Sequence, residues 1–389
     1  MINIYSALIN EASFVYMFLY TLLLLVFIIA GKNVSNGQSF WENALICSLF
    51  FILIVGSRYA RGNDYIHYAY VYEFNEDIKQ PFFSFLNTTL KKVFDLNMYH
   101  IFYIYAIPFI LAAFKFLKNF KNYAFLLFPL FYIAMLYFEE YEIRQALSFS
   151  AIFMFLDVFL SRQELKPKII KCVIWSGLAV GIHSANLFFI FLFLTLNFTV
   201  KKVVSWKISI SLLFFASYFF SKYYNISYLQ PVLDFLNSLG VEKFSHYTSG
   251  SDAEAWFGEE AMQLENARNP IIKVFLFLGN SSLFYFSYKL FKKRDFQHHQ
   301  FLITITNLYI IGDISRQAFL YLELLNRMSA LFQRLWFIPF ALVIVHLPYK
   351  KLIGWEKLAY VSMFILFYDF IKYVFLQTED KILFLWDFL

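Results

Sequence analysis

Two arginines stand three positions apart at the end of an apolar run. The run "ALICSLFFILIV", 44–55, is followed by "GSRYARGN", whose charged residues are Arg58 and Arg61. The guanidinium group of arginine is planar and permanently charged, and its N–H donors match the oxygens of a phosphate group. The two side chains would face the same way if the chain stayed helical here. We therefore interpret Arg58 and Arg61 as candidate ligands of an anion.

The next residues along the chain offer acid–base and sugar chemistry. Asp64 can take a proton from a hydroxyl group or hold an arginine in place. Tyr65 and Tyr68 present flat apolar faces with hydroxyl edges, which suit sugars and lipid headgroups alike. Tyrosines of a plain interfacial belt have the same pattern, so a purely structural role is the alternative.

A second polar cluster, "YFEEYEIRQALSF" at 137–149, lies between two apolar segments. Glu139 is a candidate proton acceptor, Arg144 a candidate anion ligand and Gln145 a candidate sugar contact. Arg144 and Gln145 are expected in the first turn of an otherwise apolar helix, where burial makes a polar partner necessary. The alternative is a solvated turn in which a neighbouring glutamate pairs with Arg144.

The third cluster is "AVGIHSANLFF", 179–189, with His183 and Ser184 at the turn between two short apolar segments. Histidine exchanges protons near neutral pH, so His183 is a candidate base, and Ser184 is a candidate sugar contact. A hydrogen-bonded structural histidine is the alternative. No other histidine, cysteine or carboxylate lies at metal-ligand spacing from His183, so a metal site is not expected.

The fourth cluster is "GDISRQAFLYLELLNRMSALFQRLWFIP", 312–339. Arg327 and Arg334 are seven residues apart, which is about two turns, and would share one face of a continuous helix. Such a face would carry two charges along the wall of a cavity. Alternatively, both arginines tie helices together through carbonyl groups or Glu323.

The composition indicates the elements that must position these clusters. The chain of 389 residues is 60% hydrophobic and only 15% charged, whereas a soluble domain carries about 25% charged residues. We predict an all-α polytopic membrane protein with about 12 transmembrane helices. The apolar segments lie at 13–30, 43–56, 99–114, 123–138, 146–160, 172–183, 185–199, 208–221, 271–290, 301–314, 328–346 and 358–375.

We expect one transmembrane domain over 1–389. The segment 82–94 mixes apolar and polar spacings and contains paired lysines, which predicts an amphipathic helix on the membrane surface. The connection 222–269 is the only long external one, with about 50 residues. The net charge of +6 is explained by membrane topology, and no nucleic-acid partner is expected.

Lysine and arginine are distributed differently between the connections. Alternate connections contain 18 basic residues, 16 of them lysines, so these connections are predicted to be cytoplasmic and both termini external. Only Arg162 and Arg294 belong to that set. The remaining seven arginines fall on the predicted outer side: Arg58, Arg61, Arg144, Arg268, Arg316, Arg327 and Arg334. Outward positive charge opposes the topology rule, and we interpret it as a site that holds a lipid phosphate or diphosphate.

The sequence resembles a known family at these residues. The stretches "GSRYARGNDYIHY", "EIRQALSFSAIF", "LAVGIHSANLFFIF" and "LNRMSALFQRLWFIP" are similar, in this order, to the EpsG family of bacterial polysaccharide loci, which is grouped with the Wzy-type polymerases. The resemblance runs over roughly residues 50–340. It implies a helical architecture like that of the C-type glycosyltransferases, in the bacterial inner membrane.

The resemblance implies a glycosyltransferase that uses polyprenyl-diphosphate-linked oligosaccharides as donor and acceptor at the periplasmic face. It implies no cofactor and no metal, and the lack of a D-x-D pair agrees with metal-free chemistry. Membrane lipids and a chain-length regulator protein are the other expected partners. An O-antigen ligase and a polysaccharide flippase or transporter are the alternatives. The expected roles are diphosphate binding by Arg58, Arg61, Arg144, Arg327 and Arg334, and proton acceptance by Asp64, His183 or Glu139.

Overall fold

The computed structural model describes residues 2–59, 63–74, 80–220, 270–320, 323–376 and 383–384. Within these ranges every regular element is helical except one pair of two-residue strands. Arg61 and the predicted external connection 222–269 lie outside the described residues. The chain forms two compact units, Met1–Ile190 with Phe367–Leu389, and Phe191–Leu366.

The first unit is built on long apolar helices. Its helices are α1 Ile2–Ser35, α2 Phe40–Gly56, α3 Asn63–Phe74, α4 Pro81–Lys92, α5 Met98–Leu117, α6 Ala124–Tyr141, α7 Ile143–Leu160 and α8 Leu165–Ile182. A 3₁₀ turn, Lys118–Tyr123, joins α5 to α6. Polar caps mark several starts: the Asn97 side chain, for example, accepts from the Tyr99 N–H at 3.1 Å at the beginning of α5.

The strand pair connects the chain end to the stretch after α2. β1, Arg58–Tyr59, pairs antiparallel with β2, Leu383–Phe384. Before β2 come a short helix, Tyr368–Ile371, and a π-helical turn, Lys372–Leu376, which packs against α1. Because α2 ends at Gly56, the helical spacing that would turn Arg58 and Arg61 the same way does not apply.

Phenylalanine fills the core of the first unit. Phe27 of α1, Phe109 of α5, Phe131 of α6 and Phe153 of α7 are fully buried. The Phe109 ring centroid lies 6.2 Å from that of Phe131 and 5.9 Å from that of Phe153. Aromatic pairs at these distances add to the hydrophobic contribution of burial, so helices α1, α5, α6 and α7 share one aromatic core.

The second unit follows in the chain. Helix α9, Asn186–Thr199, contains the boundary between the units, and the second unit continues with α10 Trp206–Phe215, α11 Pro270–Lys293, α12 His299–Ala318, α13 Glu323–Gln333, α14 Phe337–His346 and α15 Trp355–Ser362. Shorter helical turns are Ala216–Phe220, Tyr349–Lys351 and Met363–Phe367. Helix α11 packs against α10, α14 and α15, and α12 packs against α13.

Each of the twelve predicted apolar segments coincides with helical structure in the described part of the chain. Six helical stretches there are long and apolar enough to cross a membrane: Phe14–Ser35, Met98–Tyr141, Ile143–Leu160, Pro270–Lys293, Leu325–His346 and Trp355–Phe375. Twelve crossings therefore stay a prediction, as does the single transmembrane domain. Helix α4 confirms that the segment 82–94 is largely helical, whereas its place on the membrane surface is untested.

One predicted helix is broken. The segment 328–346 is not continuous, because α13 ends at Gln333 and α14 begins at Phe337, with a tight turn between them. Arg334 lies in this turn, so the expectation that Arg327 and Arg334 occupy one face of a single helix is wrong. The turn makes bonds between residues three apart, such as Trp336 N–H to the Gln333 carbonyl at 2.9 Å, in place of the α-helical bonds between residues four apart.

Gly31 permits the close approach of α1 to the start of α6, and this gives a test of the packing. A methyl group at Gly31 would lie 2.5 Å from the Ala124 carbonyl oxygen, whereas at Gly177 of α8 it would meet nothing within 4 Å. We expect Gly31→Ala to lower the free energy of unfolding by about 1–3 kcal/mol. Gly177→Ala should be neutral or slightly stabilising, because alanine favours a helix. Unfolding in detergent measures both, and equal effects would contradict the α1–α6 packing.

Candidate functional site

A buried ion pair joins the stretch after α2 to the end of α6. The Arg58 side chain has no exposed surface, and its Nη1 lies 2.6 Å from Oε2 of Glu139, which is 2% exposed. Arg58 also donates to the Val55 carbonyl at 3.1 Å, and its guanidinium carbon lies 5.3 Å from the centre of the Phe102 ring. Two groups that would be costly to bury alone therefore compensate each other.

The electrostatic setting of Arg58 favours its charged form. Burial alone would lower the pKa of Arg58, but the carboxylates of Glu139 and Glu140 outweigh burial and raise it above its ordinary value. In this structure Arg58 and Glu139 thus form a structural pair with little surface open to a substrate. The roles predicted for them, diphosphate ligand and proton acceptor, stay predictions.

Glu140 holds a second set of segments together. The hydroxyl groups of Tyr20 in α1 and Tyr373 near the chain end both donate to its carboxylate. Glu140 has no exposed surface, and Tyr132 donates to the Tyr20 carbonyl at 2.9 Å. A solvated turn, which was the alternative for this cluster, does not describe Glu139 and Glu140, because both are buried at the end of α6.

Helix α3 places Tyr65 on the ring that lies beneath Arg58, and Tyr68 against Arg144. The Tyr65 ring stacks on Phe102 with centroids 4.1 Å apart, and Phe102 is also the ring beneath Arg58. One turn further on, the Arg144 guanidinium carbon lies 5.8 Å from the centre of the Tyr68 ring. Both tyrosine side chains are buried. The structure therefore brings Arg58, Tyr65, Tyr68 and Arg144 into one continuous set of contacts.

Arg144 differs from Arg58 in its surroundings. It is the second residue of α7, as expected, and is half-buried. Its Nε is buried without a hydrogen-bond partner, and none of the ion pairs found between described residues involves Arg144. Its guanidinium group thus lies over an aromatic ring, with no ion pair to a carboxylate among the described residues.

The turn between α8 and α9 adds further polar groups. His183 ends α8 in an extended conformation and is half-buried, and Ser184 after it is exposed. Ile182 packs on the same apolar cluster as Tyr65, Tyr68 and Ile143, so the predicted His183 lies beside this part of the unit. Sequence reasoning missed fully buried Asn186, whose Nδ2 donates to Ser148 Oγ at 2.7 Å, even though it lies three residues after His183.

The other predicted residues occupy different positions. Asp64 is half-buried in the first turn of α3. Gln145 is buried in α7, and its Oε1 has no hydrogen-bond partner among the described residues. In the second unit, Arg327 of α13 is exposed and Arg334 is half-buried. The part of the chain that the structure describes contains no group of three His, Cys, Asp or Glu side chains that could hold a metal ion.

Apolar helices of membrane-crossing length, with arginines and carboxylates packed at their ends, define a helical membrane protein. The chain belongs to the EpsG family, whose model matches residues 43–386, and this family comprises Wzy-like polysaccharide polymerases and glycosyltransferases. The match covers most of the chain, including all four polar clusters. No curated protein and no solved structure matches the chain.

The Arg58–Glu139 pair makes a stability prediction. Glu139→Gln leaves a buried guanidinium without its counter-charge, so the free energy of unfolding should fall by about 3–5 kcal/mol. Replacing both residues, as in Arg58→Met with Glu139→Leu, should recover most of this loss, because no charge then remains buried. Exposed Glu42 provides the control, and Glu42→Gln should change little. Denaturation in detergent measures the free energy of unfolding of each variant. A double variant that is no more stable than Glu139→Gln would contradict the pairing.

Proposed function

We propose that the chain is a Wzy-type polysaccharide polymerase of the bacterial inner membrane. It joins polyprenyl-diphosphate-linked oligosaccharide repeat units into O-antigen, capsule or exopolysaccharide at the periplasmic face. The observation that carries this proposal is the EpsG family match over residues 43–386. The partly exposed, un-neutralised Arg144 supports it, because the leaving group of this reaction is a diphosphate.

The proposed reaction is a displacement at the anomeric carbon of the donor. The hydroxyl oxygen of the acceptor sugar forms a bond to that carbon, and the bond from the carbon to the diphosphate oxygen breaks with its electron pair. The hydroxyl proton passes to a base, for which Asp64 and His183 are the candidates. Positive groups must stabilise the charge that develops on the departing diphosphate.

Arg144 is the proposed diphosphate contact in the first unit. The Tyr68 ring orients its guanidinium group without neutralising it, so the charge can act on an incoming phosphate. Arg58 has a structural role in this proposal. Its ion pair with Glu139 holds β1 and the end of α6 in place around α3. Tyr65 and Gln145 are the proposed sugar contacts next to these groups.

Polymerisation by the purified chain tests the function and the role of Arg144 together. The substrate is native lipid-linked repeat units extracted from a strain that lacks this chain. In nanodiscs we expect a ladder of longer lipid-linked glycans. Arg144→Ala should slow chain growth by about 10²- to 10³-fold, because one donor to the developing charge is lost.

Arg162→Ala is the matched control, since Arg162 is an exposed arginine in the connection after α7. It should extend chains at the unaltered rate. Full chain growth by Arg144→Ala would contradict the proposed contact. Transfer of glycan only to a lipid A core acceptor would identify a ligase, and movement of lipid-linked units across the bilayer without a new bond would identify a flippase.

Two substitutions separate the candidate bases. Asp64→Asn and His183→Gln each remove a proton acceptor while keeping a side chain of similar size. The variant that lacks the base should bind the lipid-linked substrate normally and turn it over about 10²- to 10⁴-fold more slowly. The other variant should retain most of its turnover. If both variants polymerise at the unaltered rate, neither residue is the base.

A further inference from the structure

The second unit contains a buried carboxylate that the reaction described above does not use. Asp313 of α12 is 2% exposed. Its Oδ1 accepts hydrogen bonds from Asn280 Nδ2 in α11 at 3.1 Å and from Gln333 Nε2 at the end of α13 at 2.6 Å. Tyr309 donates its hydroxyl proton to Asn280 Oδ1 at 2.5 Å. Three helices thus contribute to one polar cluster among apolar surroundings.

Hydrogen-bond polarity fixes the orientation of the Gln333 amide from both sides. Oδ1 of Asp313 accepts from both Asn280 and Gln333, so the NH₂ group of Gln333 faces it. Arg316 only donates, so Oε1 of Gln333 must face its Nη1, and the distance between these atoms is 3.0 Å. The Gln333 amide therefore has one possible orientation. It donates to Asp313 and accepts from Arg316, and we call these three residues the relay.

Gly312 allows this relay to form. A Cβ atom at Gly312 would lie 2.7 Å from Phe332 Cβ and 2.9 Å from the backbone nitrogen of Gln333. Real side chains do not tolerate such distances to backbone atoms, so only glycine lets α12 approach the end of α13 this closely. The approach brings the Gln333 side chain onto Asp313 and Arg316.

Arg316 makes its hydrogen bond to a neutral amide and interacts with the charge of Asp313 without a direct ion pair. It is half-buried, and its hydrogen bond is made to a neutral amide. None of the ion pairs between described residues involves Arg316, in contrast to Arg58, which contacts Glu139 directly. A guanidinium group has five N–H donors, and the Gln333 contact occupies one of them. Gln333 is the one hydrogen-bond partner of Arg316 among the described residues, and the Arg316 side chain keeps part of its surface exposed.

The cluster keeps features that stability alone does not favour. Oδ2 of Asp313 is buried and has no hydrogen-bond partner among the described residues, which costs free energy in apolar surroundings. Ionisable groups retained at such a cost inside helical membrane proteins generally serve function. A buried carboxylate and a fixed amide that together orient a half-buried guanidinium suit the recognition of an anion rather than helix packing alone.

We propose that Arg316 binds the oxygens of a diphosphate group, and that Gln333 and Asp313 are positioning residues that orient its guanidinium. This inference rests on the proposed function, in which both lipid-linked substrates carry a diphosphate. It extends that function by assigning a diphosphate contact, Arg316, in the second unit. It also assigns to Gln333 and Asp313 the role of orienting that contact.

Equilibrium binding of farnesyl diphosphate to the full chain in nanodiscs tests the proposal without any sugar transfer. Arg316→Gln should weaken binding by about tenfold to a hundredfold, the usual effect of losing a hydrogen bond to a charged group. The matched control is Arg294→Gln, because Arg294 lies in the same unit and also contacts a neutral side-chain atom, His346 Nδ1, at 3.0 Å. This control should bind like the unaltered chain.

Two further probes identify the chemistry that is recognised. Farnesol, which has no phosphate, should bind the unaltered chain and Arg316→Gln equally. Inorganic pyrophosphate competes with farnesyl diphosphate if the phosphates alone suffice, and fails to compete if the lipid chain is also required. Both results support a diphosphate site, whereas unchanged farnesyl diphosphate affinity in Arg316→Gln overturns it.

The positioning role has its own test. Gln333→Leu should weaken diphosphate binding several-fold and leave farnesol binding unchanged. If Gln333 acts through Arg316, the double variant Gln333→Leu with Arg316→Gln should bind no worse than Arg316→Gln alone. If the two substitutions instead damaged the structure independently, their losses of binding free energy would add in the double variant. Additive losses would therefore exclude the relay. Failure of the unaltered chain to polymerise would count against the proposed function only, since none of these measurements needs polymer.

Discussion

An apolar helical interior tolerates a charge only where the chain itself supplies the compensation, and the first unit is arranged around that constraint. Arg58 has no exposed surface and takes its counter-charge from Glu139, 81 positions further along the chain. The next residue, Glu140, accepts from Tyr20 and Tyr373. Two successive glutamates at the end of α6 therefore bind together β1, α1 and the segment near the chain end. Removing either charge would leave several segments without their common contact.

The helices could be predicted from the sequence because each one corresponds to a local run of apolar residues. Long apolar runs that end in polar or basic residues predict helices in a membrane protein, and each predicted run coincides with helical structure, one of them interrupted by a turn. The break between α13 and α14 could not be predicted from the sequence. The stretch from Leu331 to Phe337 contains neither proline nor glycine, and Pro339 comes only after the turn. Tertiary packing, including the approach of Gly312 to Gln333, accompanies this break, and no single-sequence pattern records such packing.

The candidate site could be predicted only in part, because contacts between distant segments leave no pattern in a single sequence. The position of Arg144 in the first turn of α7 followed from one charged residue at the edge of an apolar run. The partner of Arg58 did not follow, because seven carboxylates lie nearer in sequence than Glu139. Asp313 carried no motif at all: an isolated aspartate next to Arg316 looks like a local pair. Its importance comes from the amides of Asn280 and Gln333, which reach it from other helices.

The arginines of this chain differ in what orients them, and that difference has a physical consequence for anion binding. Opposite charges 4 Å apart attract by about 4 kcal/mol near a protein surface. An arginine already in contact with a carboxylate, as Arg58 is, must give up an attraction of that size before a phosphate gains from it. A neutral amide at Arg316 or an aromatic ring at Arg144 restricts the side chain without a direct ion pair. Orientation without a direct ion pair therefore leaves the close contact with an anion to be made by a ligand, which is the property that each proposed diphosphate contact needs.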